Sequence, residues 1–105
     1  MTISIAKDFT TTPGARYKTD GPFSGELFRE KLLEPLFKDQ TASEEIVVDL
    51  DGTAGYATSF LEESFGGLAR KFGKTRIRQR LKFKSEDDPS LIIEIEKYIS
   101  NVQEA

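Results

Sequence analysis

The chain contains no cysteine and no histidine. Without cysteine there is no disulfide and no thiolate nucleophile, and a cytoplasmic location is the default expectation. Without histidine there is no imidazole base, no Ser–His pair and no His- or Cys-based zinc site. Catalysis would have to rest on carboxylates, lysines, arginines, tyrosines or hydroxyls. The expectation is a protein that is not an enzyme and carries no metal or cofactor. A basic surplus is also missing: 15 Lys and Arg stand against 18 Asp and Glu, a formal charge of −3. Such a balance argues against a general nucleic-acid or membrane-surface binder. No apolar run approaches the roughly 18 residues needed to span a bilayer. The opening MTISIAKDF lacks the basic-then-apolar order of a signal peptide. At 105 residues the chain is expected to form one domain, 1–105, with a real core.

What is present is concentrated between Ile46 and Phe72. Ile46 to Leu50 is a short apolar run rich in β-branched residues, the pattern of a strand buried on both faces. Asp49, Asp51 and Gly52 close it. Thr58 and Ser59 then open a helix whose stripe is Phe60, Leu61, Phe65, Leu68 and Phe72. Ser59 with Glu62 three residues later reads as a capping box. Glu62 and Glu63 suit the positive end of the helix dipole, Arg70 and Lys71 the negative end. Gly66 and Gly67 cost roughly 1 kcal/mol each against alanine, which points to a close backbone approach, and Gly73 ends the helix.

Elsewhere, residues 3–9 alternate and read as a strand, 11–14 as a turn, and Ala15–Lys18 as a short second strand. Ser24 caps a helix over about 25–38 with Phe28, Leu32, Leu33, Leu36 and Phe37 inward. Pro35 predicts a kink or an early end near Glu34. Residues 76–84, RIRQRLKFK, read either as one strand or as a helical turn followed by a strand at Leu81–Lys84; the second reading is preferred. Asp88 as cap and Pro89 start a last helix with stripe Ile92, Ile95, Ile99 and Val102. The order β(β)-α-β-α-β-α predicts an α/β fold with a small, mostly parallel sheet of about four strands and three main helices.

The segments TDGPFSGELFREKLLEPL (19–36) and VVDLDGTAGYATSFLEESFGGLAR (47–70) resemble the STAS-like proteins of unknown function in bacteria. That family is similar to the STAS domains of sulfate transporters and anti-sigma factor antagonists. The resemblance implies a bacterial signalling protein, non-enzymatic, that works by protein–protein interaction, with an ATPase-like anti-sigma kinase as the implied partner. In the antagonists a serine at the start of the helix after the central strand is phosphorylated, and here that position falls on Thr58, with Ser59 beside it. Two residues depart from the antagonist pattern: Ala57 replaces the acidic residue before the serine, and Phe60 the glycine after the serine pair.

Each candidate also has a plainer reading. One of the two hydroxyls must cap the helix; Ser59 fits, leaving Thr58 free for modification. Tyr17, Phe23 and Tyr56 are candidate partner-binding residues, because exposed aromatics make efficient contact area, and Ala57, Phe60 and Glu63 at the start of the helix join them. Asp20–Gly25 ahead of a helix could cradle an anion or nucleotide with Arg16, Lys18, Ser24 and Gly25; the alternative is a loop with a cap. Asp49 and Asp51 could converge on Mg²⁺, or one of them could simply cap the Gly52 turn, the preferred reading. The basic residues at 74–84 read as a patch for an acidic partner or, more simply, as solvated protection of an exposed strand. The runner-up function is a small nucleotide- or phosphate-binding domain, or an orphan subunit of a larger enzyme.

Overall fold

The computed structural model describes residues 1–103. β1 (Thr2–Ser4) leads directly into a single helical turn, α1 (Ile5–Asp8). The alternating run predicted as a strand over 3–9 therefore stops early. Ser4 Oγ accepts from Lys7 N–H at 3.2 Å, and the Asp8 carboxylate accepts from Ser4 N–H at 2.8 Å, so local capping overrides the period-2 pattern. Ala15–Lys18 forms no strand either. It makes one bridge, Ala15 to Ser24, before a 3₁₀ turn at Lys18–Asp20, and the sheet has three strands rather than about four.

α2 spans residues 25–37, capped by Ser24 Oγ on Leu27 N–H at 3.0 Å. Pro35 neither ends it nor leaves it regular. The turn Arg29–Leu33 widens to π geometry and Leu33 relaxes to φ −104°, ahead of a ring that cannot donate a hydrogen bond. The remaining elements are β2 (Ile46–Asp49), α3 (residues 58–72), α4 (Lys74–Arg80), β3 (Leu81–Lys84) and α5 (Ser90–Ser100). The helix-then-strand reading of 74–84 holds. α5 begins at Ser90, one residue later than expected, while the Asp88 carboxylate accepts from Ser90 N–H at 3.1 Å as a cap would. No helix among the described residues is long and apolar enough to cross a membrane.

The sheet is wholly parallel in the order β1-β2-β3, with Ile3, Val48 and Phe83 in register. Sequential strands joined by crossovers of one hand place both connecting helices on the same face. Ile3, Ile46, Val48 and Leu81 are buried beneath them, and Phe83 meets Phe65 of α3 edge-on at 5.1 Å. The other face carries Thr2, Ser4, Val47, Asp49, Lys82 and Lys84, none of them buried. The reading of Ile46–Leu50 as buried on both faces is thus corrected: β2 alternates, with Val47 and Asp49 only half-covered.

The basic segment is structural in large part. Arg80, almost completely buried, donates to Leu36 O at 2.5 Å and Glu44 O at 3.0 Å, its guanidinium 4.8 Å from the Phe37 ring centre. Arg76 donates to Asp39 O at 2.7 Å and stacks near Phe37 and Phe72. Arg80 thereby meets Leu36 O, one of the carbonyls that the end of α2 leaves open, while Glu44 O and Asp39 O belong to the loop that follows.

Candidate functional site

α3 enters just beyond the carboxyl end of β2. Its cap position is Ala57, in extended conformation with no side chain to accept a hydrogen bond. Ser59 therefore does not cap the helix: it lies one residue inside it, and the expected Ser59–Glu62 box is absent. Glu62 is drawn away by two arginines, Arg16 Nη1 at 2.7 Å and Arg70 Nη1 at 2.6 Å. The bond from Arg70, opposed by burial and reinforced by Arg16, holds the Glu62 carboxyl below its ordinary pKa. Charge pairing outweighs the reciprocal cap, because two ionic hydrogen bonds exceed one bond to a backbone N–H.

Thr58 is exposed, its Oγ1 3.5 Å from Glu94 Oε1 on α5. Glu94 Oε1 also accepts from Tyr98 OH at 2.5 Å. Burial, with the Glu94 bond second, raises the Tyr98 pKa. Sequence reasoning missed both residues. Glu94 sits 36 positions from Thr58, and only the docking of α5 beside the second turn of α3 brings them together. Ser59 is half-buried and lines a shallow depression of about 700 Å³ with Thr12, Arg16, Gly21 and Phe23.

The aromatic candidates divide. Tyr17 and Phe23 are exposed at 48% and 40%, and Phe23 leans edge-on against Phe9 at 5.9 Å. Phe60 is corrected: it is fully buried among Phe9, Phe28 and Tyr56, and its ring fills the core instead of the approach to Thr58. Tyr56 is half-buried, donates to Leu50 O at 2.7 Å, and has its pKa pushed up to about 12, chiefly by burial. It fastens the loop after β2 rather than offering an open ring. Ala57 is half-buried. Glu63 is corrected as well: only 8% exposed, it pairs with Arg29 at 2.5 Å and Arg16 at 3.3 Å.

The candidate anion loop does not assemble as a cradle. Gly25 N–H donates to Ala15 O at 2.8 Å, Glu26 N–H to Arg16 O at 3.0 Å, and Leu27 N–H to the buried Ser24 hydroxyl. Arg16 is engaged by Glu62 and Glu63, and Lys18 Nζ by Glu30 at 2.6 Å. Gly25 is needed for packing: a Cβ there would lie 2.5 Å from Phe60 O. Asp49 and Asp51 do not converge. Asp49 Oδ1 accepts from Asp51 N–H at 2.9 Å, and the Asp51 carboxylate accepts from Glu86 and Asp87 N–H at 3.1 and 2.9 Å. Those bonds lower the Asp51 pKa and tie the loop after β2 to the loop after β3.

The close approach expected of the glycine pair is made by side chains, not by a strand: Gly66 faces Glu62 and Arg70 of its own helix, and only Gly67 meets another element, through Arg29 of α2. Residues Glu62–Gly66 form a second π turn, and a Cβ on Gly67 would fall on Arg29 Nη1 and lie 3.3 Å from Arg29 Cδ. The Gly67 N–H turns to Glu62 O and Ser64 O, and Arg29 Nη1 donates to Glu63 O at 2.8 Å. Gly73, at φ +92°, ends the helix with its N–H on Ala69 O, as expected of a glycine there.

These features define a singly wound α/β domain with an exposed hydroxyl at the entrance of its second crossover helix. Residues 24–91 match the family model described as STAS-like domain of unknown function (DUF4325). The chain belongs to that family. No curated protein and no solved structure matches it.

Proposed function

We propose that this domain is a non-enzymatic, cytoplasmic protein-interaction module of bacterial regulation, similar in action to anti-sigma factor antagonists. Its binding surface is the entrance of α3, with Thr58 exposed and Ser59 sharing a depression with Arg16 and the exposed Phe23 ring; Tyr17, exposed next to Arg16 in the chain, extends it. The partner is a protein, an ATPase-like kinase in the antagonist scheme, and neither nucleic acid nor a membrane. The observation that carries this reading is the exposed Thr58 hydroxyl, which has no capping duty because Ala57 holds the cap position.

Control is by phosphorylation of Thr58. A phosphate there would add roughly −1.5 to −2 charges at pH 7. The helix N-terminus favours it, and Glu94, 3.5 Å from the hydroxyl, opposes it. Glu62 and Glu63 contribute little to that repulsion, since both are matched by arginines. The added charge therefore stays at the surface, where it meets an approaching partner.

The test is affinity capture on the wild-type domain, identification of the captured protein, and its dissociation constant for wild type, Thr58→Ala and Thr58→Glu. Alanine should bind as wild type, and glutamate should lose at least about tenfold, or ~1.4 kcal/mol. Equal affinity for all three would leave Thr58 with no regulatory part.

A further inference from the structure

Of the two edges of the sheet, the one at β3 carries main-chain groups that nothing in the fold engages. β3 pairs with β2 on one side only. Leu50 N–H donates to Lys84 O at 2.8 Å, so the Lys84 peptide groups face β2. Strand alternation then turns the Phe83 N–H and C=O, and the Leu81 C=O, to the outside. Among the described residues no partner meets these three groups, whereas Leu81 N–H is already held by Ile77 O.

Alongside runs a groove of about 400 Å³ between β3 and α5. Its apolar lining is Ile77, Leu81, Phe83, Ile92 and Ile99, and Arg78 and Glu96 on it pair with each other at 4.0 Å. The same edge is basic, and Lys82 borders the groove as well. Lys82 and Lys84 are exposed on the open face of the sheet. Lys84 Nζ has Asp49 only at 3.8 Å, and Lys82 Nζ rests on Arg78 O at 3.3 Å.

We propose that this edge accepts an extended segment of another protein as a fourth strand, with side chains alternating apolar and acidic. The main chain would pair with Leu81 and Phe83, as in β-strand addition. Alternate apolar side chains would enter the groove, and the acidic ones would stand beside Lys82 and Lys84. A second copy of this chain fits less well. Two β3 strands paired antiparallel about Phe83 would set Lys82 of one copy opposite Lys84 of the other, a like-charge contact. The lysines thus discourage self-pairing and select an acidic strand. This surface is the lateral edge of the sheet, separate from the entrance of α3.

The test uses the full isotope-labelled chain and a capped heptapeptide of alternating valine and glutamate, followed by amide shifts and hydrogen exchange. In the free protein the Phe83 amide should exchange at least about tenfold faster than those of Lys82 and Lys84, which face β2. Saturating peptide should slow Phe83 by at least about tenfold and shift resonances across Leu81–Lys84. The valine–lysine counterpart should do neither. The double variant Lys82→Glu/Lys84→Glu, altered only at exposed positions, should fold normally and prefer the valine–lysine peptide. Unchanged Phe83 exchange, an equal response to both peptides, or shifts elsewhere would overturn the proposal. So would a single-stranded oligonucleotide that shifts Lys82 and Lys84 when the peptide does not, which would mark a generic polyanion patch. Protection of Phe83 by concentration-dependent dimerisation of the free chain would also overturn it, making a second copy the occupant.

Discussion

Arg29 Nη1 donates to both the backbone carbonyl and the carboxylate of Glu63, at 2.8 and 2.5 Å. Arg29 opens the π turn of α2, and Glu63 lies in the π turn of α3. One guanidinium therefore ties together the two irregular turns of the packed helices. Its Nε reaches Glu34 at 2.8 Å, and Glu34 in turn holds Lys71 at 2.8 Å. Arg29, Glu34 and Glu63 side chains are only 8–11% exposed, so the network is nearly dry.

Removing the central cation should be costly. Arg29→Met leaves Glu63 without its closest partner and strips Glu34 of one of two. Breaking a buried pair from one side costs ~3–5 kcal/mol. Urea unfolding should show that loss, and a variant within about 1 kcal/mol of wild type would mean the site is open to water.

Gly67→Leu should lower the melting temperature although leucine is the better helix former. Any Cβ at 67 meets the Arg29 side chain, and overpacking of this kind costs ~1–3 kcal/mol. A variant melting at or above wild type would show that Arg29 moves aside freely.

Acid should destabilise the domain through Glu34 and Glu62. Burial pushes Glu34 upward, but bonds from Lys71 and Arg29 outweigh it and hold its carboxyl below the ordinary value of 4.5. Arg70 and Arg16 do the same for Glu62 against burial. The unfolded chain then binds protons more readily than the folded one, so this stability is present above pH ~4.5 and is lost as pH falls through the folded pKa values. The urea midpoint should be flat from about pH 7 to 5 and decline below that. Glu34→Gln should shallow the decline; an unchanged profile would remove Glu34 from the linkage.

A negative charge at position 58 should be felt by Glu94. Thr58→Glu should gain stability when combined with Glu94→Gln, relative to the sum of the two single changes, with a coupling of at least about 0.5 kcal/mol. Additive behaviour in thermal unfolding would place the two side chains apart in solution.

Much of the architecture was legible in the chain itself. Ser24 as a cap, Gly73 as a stop, the stripe from Phe60 to Phe72 and the helix-then-strand order of 74–84 follow from local chemistry, because caps, glycine stops and 3.6-residue periodicity act within a few residues. The same local rule explains a miss: at Ser4 and Asp8 a capping pair four residues apart ended a strand that alternation extended to Phe9.

The tertiary structure decided what depended on partners distant in sequence. Ser59 and Glu62 have the spacing of a capping box, yet Glu62 is claimed by Arg16 and Arg70, the first of them 46 residues away. Phe60 stood both in the inward stripe and among the partner-binding candidates, and Glu63 looked like a surface residue, because helix position alone does not reveal which neighbour covers a side chain; Phe9, Phe28 and Arg29 do. The apolar run at Ile46–Leu50 is equally compatible with one or two covered faces. The choice was made by crossovers that put both helices on one side, which left Val47, Asp49, Lys82 and Lys84 facing water. Periodicity specifies which residues share a face. Only the path of the chain through space determines what, if anything, lies against it.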